Sequence, residues 1–346
     1  MPGRKRDSGM ARRRPDRSVR AALLALVSGI VVALAPLPWG GPAIAQEPGT
    51  LGLPVDCTLG RDCFVQQMPD MDAGPERTDP FCGIAAYDGH TGTDFRVLSL
   101  ADLSPGVDVV AAAPGTVLRV RDGEADRLVA TPDEEAALKG RECGNGVLIE
   151  HADGLQTLIC HMRASSISVA PGDRVERGAV LGQVGASGLA AFPHVEFNVL
   201  RGGERIDPFT GRAVGGGCER GSAAGSLWTA AAAEVIGRPG TQLLSVGLAD
   251  GPVDAGMLAE FGPPALPAEG GAVVVYGWGI NLRDGDAMEL TLSGPEGTIA
   301  SDTTRIDGDK AQWIAFAGRR TPGPGPYSGK VRILRDGEVV AAGGTE

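Results

Sequence analysis

Aromatic side chains make up only 4% of this 346-residue chain, and histidine occurs only four times. So few large rings exclude a core built mainly on aromatic packing. With 53 glycines and 25 prolines, long helices are disfavoured, and short strands joined by many turns are expected. Excess positive charge is also missing. The formal net charge is −11, which argues against nucleic acid as the main partner. Beyond residue 45 no apolar run is long enough to span a bilayer. No C-x-x-C pair occurs, which disfavours a structural zinc cluster.

The start of the chain has the opposite character. Arg4, Lys5, Arg6, Arg12, Arg13, Arg14, Arg17 and Arg20 form a basic region, and Ala21 to Pro36 is nearly all apolar. Ala43-Ile44-Ala45 then places small residues where a signal peptidase cuts. Residues 1–45 are read as a signal peptide, with Gln46 as the new N-terminus. Removing its eight basic and two acidic residues from −11 leaves a mature charge of about −17. The expectation is a periplasmic or secreted protein with no membrane association after cleavage.

All six cysteines, Cys57, Cys63, Cys82, Cys143, Cys160 and Cys218, lie beyond the cleavage point. In an oxidising compartment they read as a disulfide framework with 15 conceivable connectivities. Cys57 with Cys63 is the most local pairing, and Cys143 with Cys160 flanks an expected hairpin. Cys82 with Cys218 would then clasp the two ends of one domain.

Residues 46–81 lack periodicity and read as an extended, cysteine-containing lead-in packed on the domain that follows. Residues 82–212 alternate short β-type runs with turns. Val107 to Val120 reads as two strands around Pro114-Gly115, and Gly144 to His161 as a hairpin about Asp153-Gly154. Residues 121–142 are an acidic insertion with one short helix expected near Pro132 to Leu138. Residues 213–270 look like a Gly/Ala/Pro-rich linker with a helical stretch at Leu227 to Ile236. Residues 271–346 show about six strands punctuated by Asp-Gly turns, the spacing of an immunoglobulin-like sandwich. The fold class expected is all-β.

The chemistry-bearing residues are concentrated. His90, His151, His161 and His194 fall within about 105 residues. His90 and Asp94 lie four apart in a Gly/Thr-rich stretch, Tyr87 to Asp94, and together offer an imidazole nitrogen and a carboxylate oxygen, a normal start for a zinc site. In Phe192 to Val199, strict alternation puts His194, Glu196 and Asn198 on one face and Val195, Phe197 and Val199 on the other.

Five blocks in order carry a family resemblance: "GHTGTDF", "DVVAAAPGTVLRV", "GNGVLIEHADGLQTLICHM", "VAPGDRVERGAVLGQVGASG" and "FPHVEFNVLRGGERIDPFTG". Over roughly residues 80–212 the chain resembles the lysostaphin-type zinc metallopeptidases, which cut peptide bonds in bacterial peptidoglycan. The resemblance implies a peptidase domain of antiparallel sheets of the duplicated hybrid motif kind. It implies Zn2+ on His90 and Asp94, and His161 and His194 as catalytic histidines that orient or deprotonate the attacking water and steady the oxyanion. His151 aligns with a histidine not expected on the metal and is read as structural. The family's last ligand histidine is Glu196 here. Carboxylate oxygen is an accepted zinc ligand, so Glu196 is expected as the third ligand. It would bring weaker Lewis acidity and greater tolerance of harder metals such as manganese.

The function expected is zinc-dependent endopeptidase action on peptidoglycan. The alternative is a catalytically degenerate protein on the same fold that binds peptidoglycan or activates an amidase. The C-terminal sandwich is expected to be accessory, either binding the wall or a cell-wall or divisome protein partner, or serving as a packing appendage with no binding function. A lipoyl or phosphoryl carrier is disfavoured by the signal segment.

Overall fold

A computed structural model describes residues 51–218, 225–264, 271–323 and 325–345. The expected signal peptide, 1–45, and its cleavage point lie outside the described residues. Among the described residues no helix is long and apolar enough to cross a membrane.

The turns fall where the residues that favour them stand. Asp153 and Gly154 both have positive φ, 60° and 70°, as a tight hairpin requires. They join two long antiparallel strands. The same local signals punctuate the remaining elements. In chain order these are β1 (Val55–Asp56), β2 (Phe64–Val65), β3 (Thr93–Arg96), β4 (Asp108–Val110), β5 (Gly115–Arg121), α1 (Pro132–Ala137), β6 (Asn145–Glu150), β7 (Leu155–Met162), β8 (Arg174–Val175), β9 (Val180–Gln183), β10 (His194–Arg201) and β11 (Glu204–Ile206). There follow α2 (Ala230–Ile236), β12 (Gln242–Ala249), α3 (Ala255–Phe261), β13 (Val273–Leu282), β14 (Ala287–Gly294), β15 (Gly297–Arg305), β16 (Lys310–Arg319), β17 (Ser328–Arg335) and β18 (Glu338–Gly344).

The protein is all-β in class, and every named strand pair is antiparallel. One large sheet runs β2-β3-β10-β7-β6-β5-β8, with β11 also on β10, and a small sheet runs β1-β4-β9. Their shared core contains Phe95, Val117, Ile149, Ile159, Val195, Phe197 and Val199. On β10 the side chains of Val195, Phe197 and Val199 are fully buried. Sliding β10 by one residue would turn all three out of the core, at a cost of roughly 5–9 kcal/mol at ~1.5–3 kcal/mol each. That penalty locks the register in which Glu196 stands opposite Asp94 and His194 opposite Arg96.

The boundaries differ from the sequence reading in two places. The lead-in does more than pack on the domain: β1 pairs with β4 and β2 with β3. Most of its strand residues, Val55, Phe64 and Val65, are buried, and two-residue strands are too short to show a period. The stretch read as a linker also holds structure. Trp228, Ala232 and Ile236 enter the first core, and β12 belongs to the C-terminal sandwich. That sandwich has seven strands among the described residues, in sheets β12-β13-β16 and β15-β14-β17-β18. The disulfides join Cys57 to Cys63, Cys82 to Cys218 and Cys143 to Cys160.

All ten residues of β13 are buried. Val273, Val275 and Leu282 face the sandwich core. Val274, Tyr276, Trp278 and Ile280 face away from it and join Phe64, Leu244 and Leu258 in a third cluster, with Leu98 and Leu128 packed on its edge. A sheet wet on one face would alternate apolar with polar residues. This strand is covered on both faces, and apart from Asn281 it carries no strongly polar side chain.

Candidate active site

The central strands bring the distant motifs together. β3 carries Asp94, β10 carries His194 and Glu196, and β7 carries His161. His90 precedes β3 in a loop held by Asp70, whose carboxylate accepts from the backbone N–H of Asp72, Thr78 and Gly89. His90, Asp94, His161 and His194 are all buried. Together with Glu196 they line a groove of about 550 Å³, which is also bordered by Gln67, Tyr87, Thr131, Phe192 and Gln312. So many polar groups under cover oppose folding unless they are paired or serve a ligand.

His90 Nε2 lies 3.2 Å from Asp94 Oδ1, yet neither buried atom has an aligned hydrogen-bond partner. Two donors meeting at this distance without bonding to each other suit a shared cation. Ligand bonds of 2.0–2.1 Å in a tetrahedral zinc site put neighbouring donors about 3.3 Å apart. Burial, the largest influence on His90, opposes its charge. The Asp94 carboxylate, assisted by Glu196 and Asp70, outweighs burial and holds the imidazole above its usual range. For Asp94, burial again works against ionisation, but the nearby His90 and His194 keep the carboxyl below its usual range.

His161 and His194 share a design. The Nδ1–H of His161 donates to the Ser187 carbonyl at 2.8 Å, and that of His194 donates to the Phe192 carbonyl at 2.7 Å. A carbonyl can only accept, so Nδ1 carries the proton in both rings. The other ring nitrogen, Nε2, lies 3.7 Å from Glu196 Oε2 in His161 and 3.8 Å from Asp94 Oδ1 in His194. The rings are 4.6 Å apart. Burial is the main force on His194 and pushes its pKa down to about 4, against the pull of Asp94.

A lowered histidine pKa has a definite sign. Between about pH 4 and 6.5 the unfolded chain binds a proton at this residue that the native state refuses, so the contribution of His194 to stability falls as pH falls through that window. His90, with its raised pKa, works the other way. In metal-free protein, 15N NMR at pH 5.5 should find His194 neutral and His90 mostly protonated. A protonated His194 at that pH would contradict the burial argument.

Glu196 stands apart from the donor pair. Its Oε1 accepts from the Thr91 hydroxyl at 3.2 Å and lies 3.8 Å from His90 Nδ1, on the ring nitrogen away from Asp94. Among the described residues the only three donors within mutual ligand reach are Cys57, Asp62 and Cys63. Both of those sulfurs are in a disulfide, which removes them as ligands. His90, Asp94 and Glu196 therefore share the groove, but in this arrangement only the first two converge. His151 is bonded at both nitrogens, to the Pro114 carbonyl and the Thr157 hydroxyl, and stands outside the groove lining.

Several neighbours escape the motif reading. Gly92 packs under Glu196, where a Cβ would stand 2.6 Å from its Cγ. Tyr87 stacks on His90 at 4.4 Å. Arg205 shares a cavity of about 290 Å³ with Glu196 and His161. Gly92 and Tyr87 lie in the stretch Tyr87 to Asp94 and Arg205 in the last of the five blocks, but nothing in the sequence singles them out. Arg205 sits on a hairpin arm with no pattern of its own.

A buried imidazole–carboxylate pair facing two further imidazoles across one groove has the equipment of a hydrolase. Residues 88–208 match the family described as Peptidase family M23. The matched segment coincides with the stretch whose five blocks resemble the lysostaphin-type enzymes. Among curated relatives, the DD-carboxypeptidase/endopeptidase Mpg of Neisseria meningitidis is 35% identical over 108 residues, 31% of this chain and 22% of that protein. An uncharacterized metalloprotease of Haemophilus influenzae is 26% identical over 136 residues, 39% of this chain and 23% of that protein. The chain thus spans under a quarter of the length of either relative. Among solved structures, the catalytic domain of a mutant of the prophage-encoded M23 protein EnpA from Enterococcus faecalis is 25% identical, with a TM-score of 0.29, covering 42% of this chain and 88% of that one.

Proposed function

We propose that this chain is a zinc-dependent endopeptidase that hydrolyses peptide bonds of bacterial peptidoglycan outside the cytoplasm. The observation that carries the proposal is the buried His90 Nε2 and Asp94 Oδ1, unbonded at 3.2 Å, beside two histidines that line the same groove with Nδ1 tied to a backbone carbonyl. The family match supports peptide hydrolysis. The name of the Neisseria relative supports a cell-wall peptide as substrate, and three disulfides suit an oxidising compartment.

His90 and Asp94 would hold the metal, with Glu196 as third ligand. Zinc bound there supplies Lewis acidity toward water and the scissile carbonyl. The protein's own groups handle the protons. His161 Nε2 is an acceptor, and the Glu196 carboxylate at 3.7 Å steadies the ring once it gains a proton, so His161 can then release that proton to the leaving amine. His194 resists protonation and is suited to orienting the water as an acceptor. The distance of Glu196 from the donor pair favours one second reading, a peptidoglycan-binding or amidase-activating protein with a degenerate site.

Metal analysis with a muropeptide digest separates the two readings. Wild-type protein should bind one zinc and release peptides. Glu196→Ala should lose zinc affinity by tenfold or more, and Glu196→His should retain it. Unchanged affinity in Glu196→Ala removes Glu196 from the ligand set. Wild-type protein that neither binds zinc nor digests muropeptides with zinc supplied leaves only the binding reading.

A further inference from the structure

The sandwich reaches the active site through a continuous stack. Trp278, on the outward face of β13, lies with its ring 4.7 Å from the Arg96 guanidinium carbon. The same guanidinium carbon lies 4.6 Å from the centre of the Phe192 ring. Phe192 is 4.5 Å from the ring of His194, which is 4.6 Å from that of His161. Arg96 is fully buried and, among the described residues, has no carboxylate within salt-bridge distance. Burial pushes its pKa down to about 9, so it remains charged at neutral pH. Its polar partners are the Gln66 side chain and the carbonyls of Val97 and Leu98. A buried cation held by two aromatic faces and neutral acceptors depends on those rings for its place.

A second link reaches the metal-side strand. Asn281 Nδ2 donates to the Gln66 carbonyl at 3.0 Å. Gln66 N–H donates to the Asp94 carbonyl at 3.1 Å, and Asp94 N–H donates to the Gln67 carbonyl at 2.9 Å. Trp278 Nε1–H also donates to Gln312 Oε1 at 3.2 Å, and Gln312 is part of the groove wall.

We infer that the C-terminal sandwich is a working part of the active site: Trp278 and Asn281 position His194 and the Asp94 strand from behind, and Gln312 contacts the bound peptide. The inference rests on the peptidase reading for its kinetic consequence, but its geometric content stands without it. Trp278, Arg96 and Asn281 do not face the substrate. They act through Phe192 and Gln66, so their loss should reach turnover rather than substrate binding. Gln312 faces the groove, so its loss should reach binding.

The test uses the full chain. Trp278→Leu removes the ring, Trp278→Phe restores an aromatic face, and Asn281→Gly removes the amide while suiting the positive φ of 54° at that residue. Below the melting point of each variant, Trp278→Leu should lower kcat roughly tenfold to hundredfold, with KM within about threefold and zinc content unchanged. Trp278→Phe should recover most of the loss. Asn281→Gly should lower kcat in the same way, and this smaller change covers the case in which Trp278→Leu does not fold. Gln312→Ala should raise KM. In parallel, the His194 ring signals in 15N NMR should shift in Trp278→Leu and return in Trp278→Phe. A purely structural contact would lower the melting temperature alone. Folded Trp278→Leu and Asn281→Gly with wild-type kcat and wild-type His194 signals would overturn the inference. If the wild-type protein hydrolyses nothing, the peptidase reading fails, and the ring signals still decide whether the sandwich positions His194.

Discussion

Alanine at His161 should reduce peptide hydrolysis by roughly 10²–10⁴-fold, the usual scale for removing a positioned general base, while zinc content stays at the wild-type level. The imidazole is prepared for that role by its surroundings. Its Nδ1–H is tied to the Ser187 carbonyl, which holds the ring in one tautomer and leaves Nε2 as the acceptor. Glu196 Oε2 at 3.7 Å stabilises the protonated ring that would follow. His161 also has φ of 62°, a region that side-chain-bearing residues rarely occupy. The strand bends there at some cost, as expected where placement of a group matters more than local stability. His161→Gln keeps a polar side chain but no titratable nitrogen and should be nearly as inactive as His161→Ala. Activity within about threefold of wild type in both variants would remove His161 from the mechanism.

The second large effect concerns stability. Cys82 and Cys218 are joined across 136 residues, the longest loop any of the three disulfides closes. Constraint of the unfolded chain grows with the logarithm of loop length and amounts to about 5 kcal/mol for a loop of this size, an upper figure because unfolded chains retain some compactness. The Cys57–Cys63 link, over six residues, amounts to only about 2 kcal/mol by the same relation. Replacing Cys82 and Cys218 together by serine should therefore lower unfolding free energy by several kcal/mol in urea titrations, and replacing Cys57 and Cys63 should cost much less. Equal losses for the two pairs would show that loop entropy is not what the long disulfide contributes. The prediction does not depend on catalysis.

Much of the site is readable in the chain. His90 and Asp94 declare themselves by spacing, and His194 and Glu196 by alternation on a strand whose other face is apolar. Asp153-Gly154 announces the hairpin that delivers His161. These signals are local, and locally encoded turns and periods survive without knowledge of the fold. The direction of the Glu196 carboxylate does not follow from alternation. Strand period places its Cβ on the same side as Asp94, but the Thr91 hydroxyl and the hollow above Gly92 decide where the acid group points. Those partners are 104 and 105 residues away in sequence.

The sandwich shows the same division. Its Asp-Gly turns and strand spacing make its existence legible. That β13 is covered on both faces, and by what, does not follow from those signals. The sequence by itself determined most of the strands and turns and the clustering of the chemistry-bearing residues, and it narrowed the cysteine pairing without fixing it, because these rest on backbone preference or on spacing along the chain. Only the tertiary structure decided that Trp278 meets Arg96, that His90 and Asp94 converge while Glu196 turns to another ring nitrogen, and that the last domain borders the groove. Those facts depend on contacts between strands far apart in sequence, where burial and charge pairing in three dimensions override any local preference.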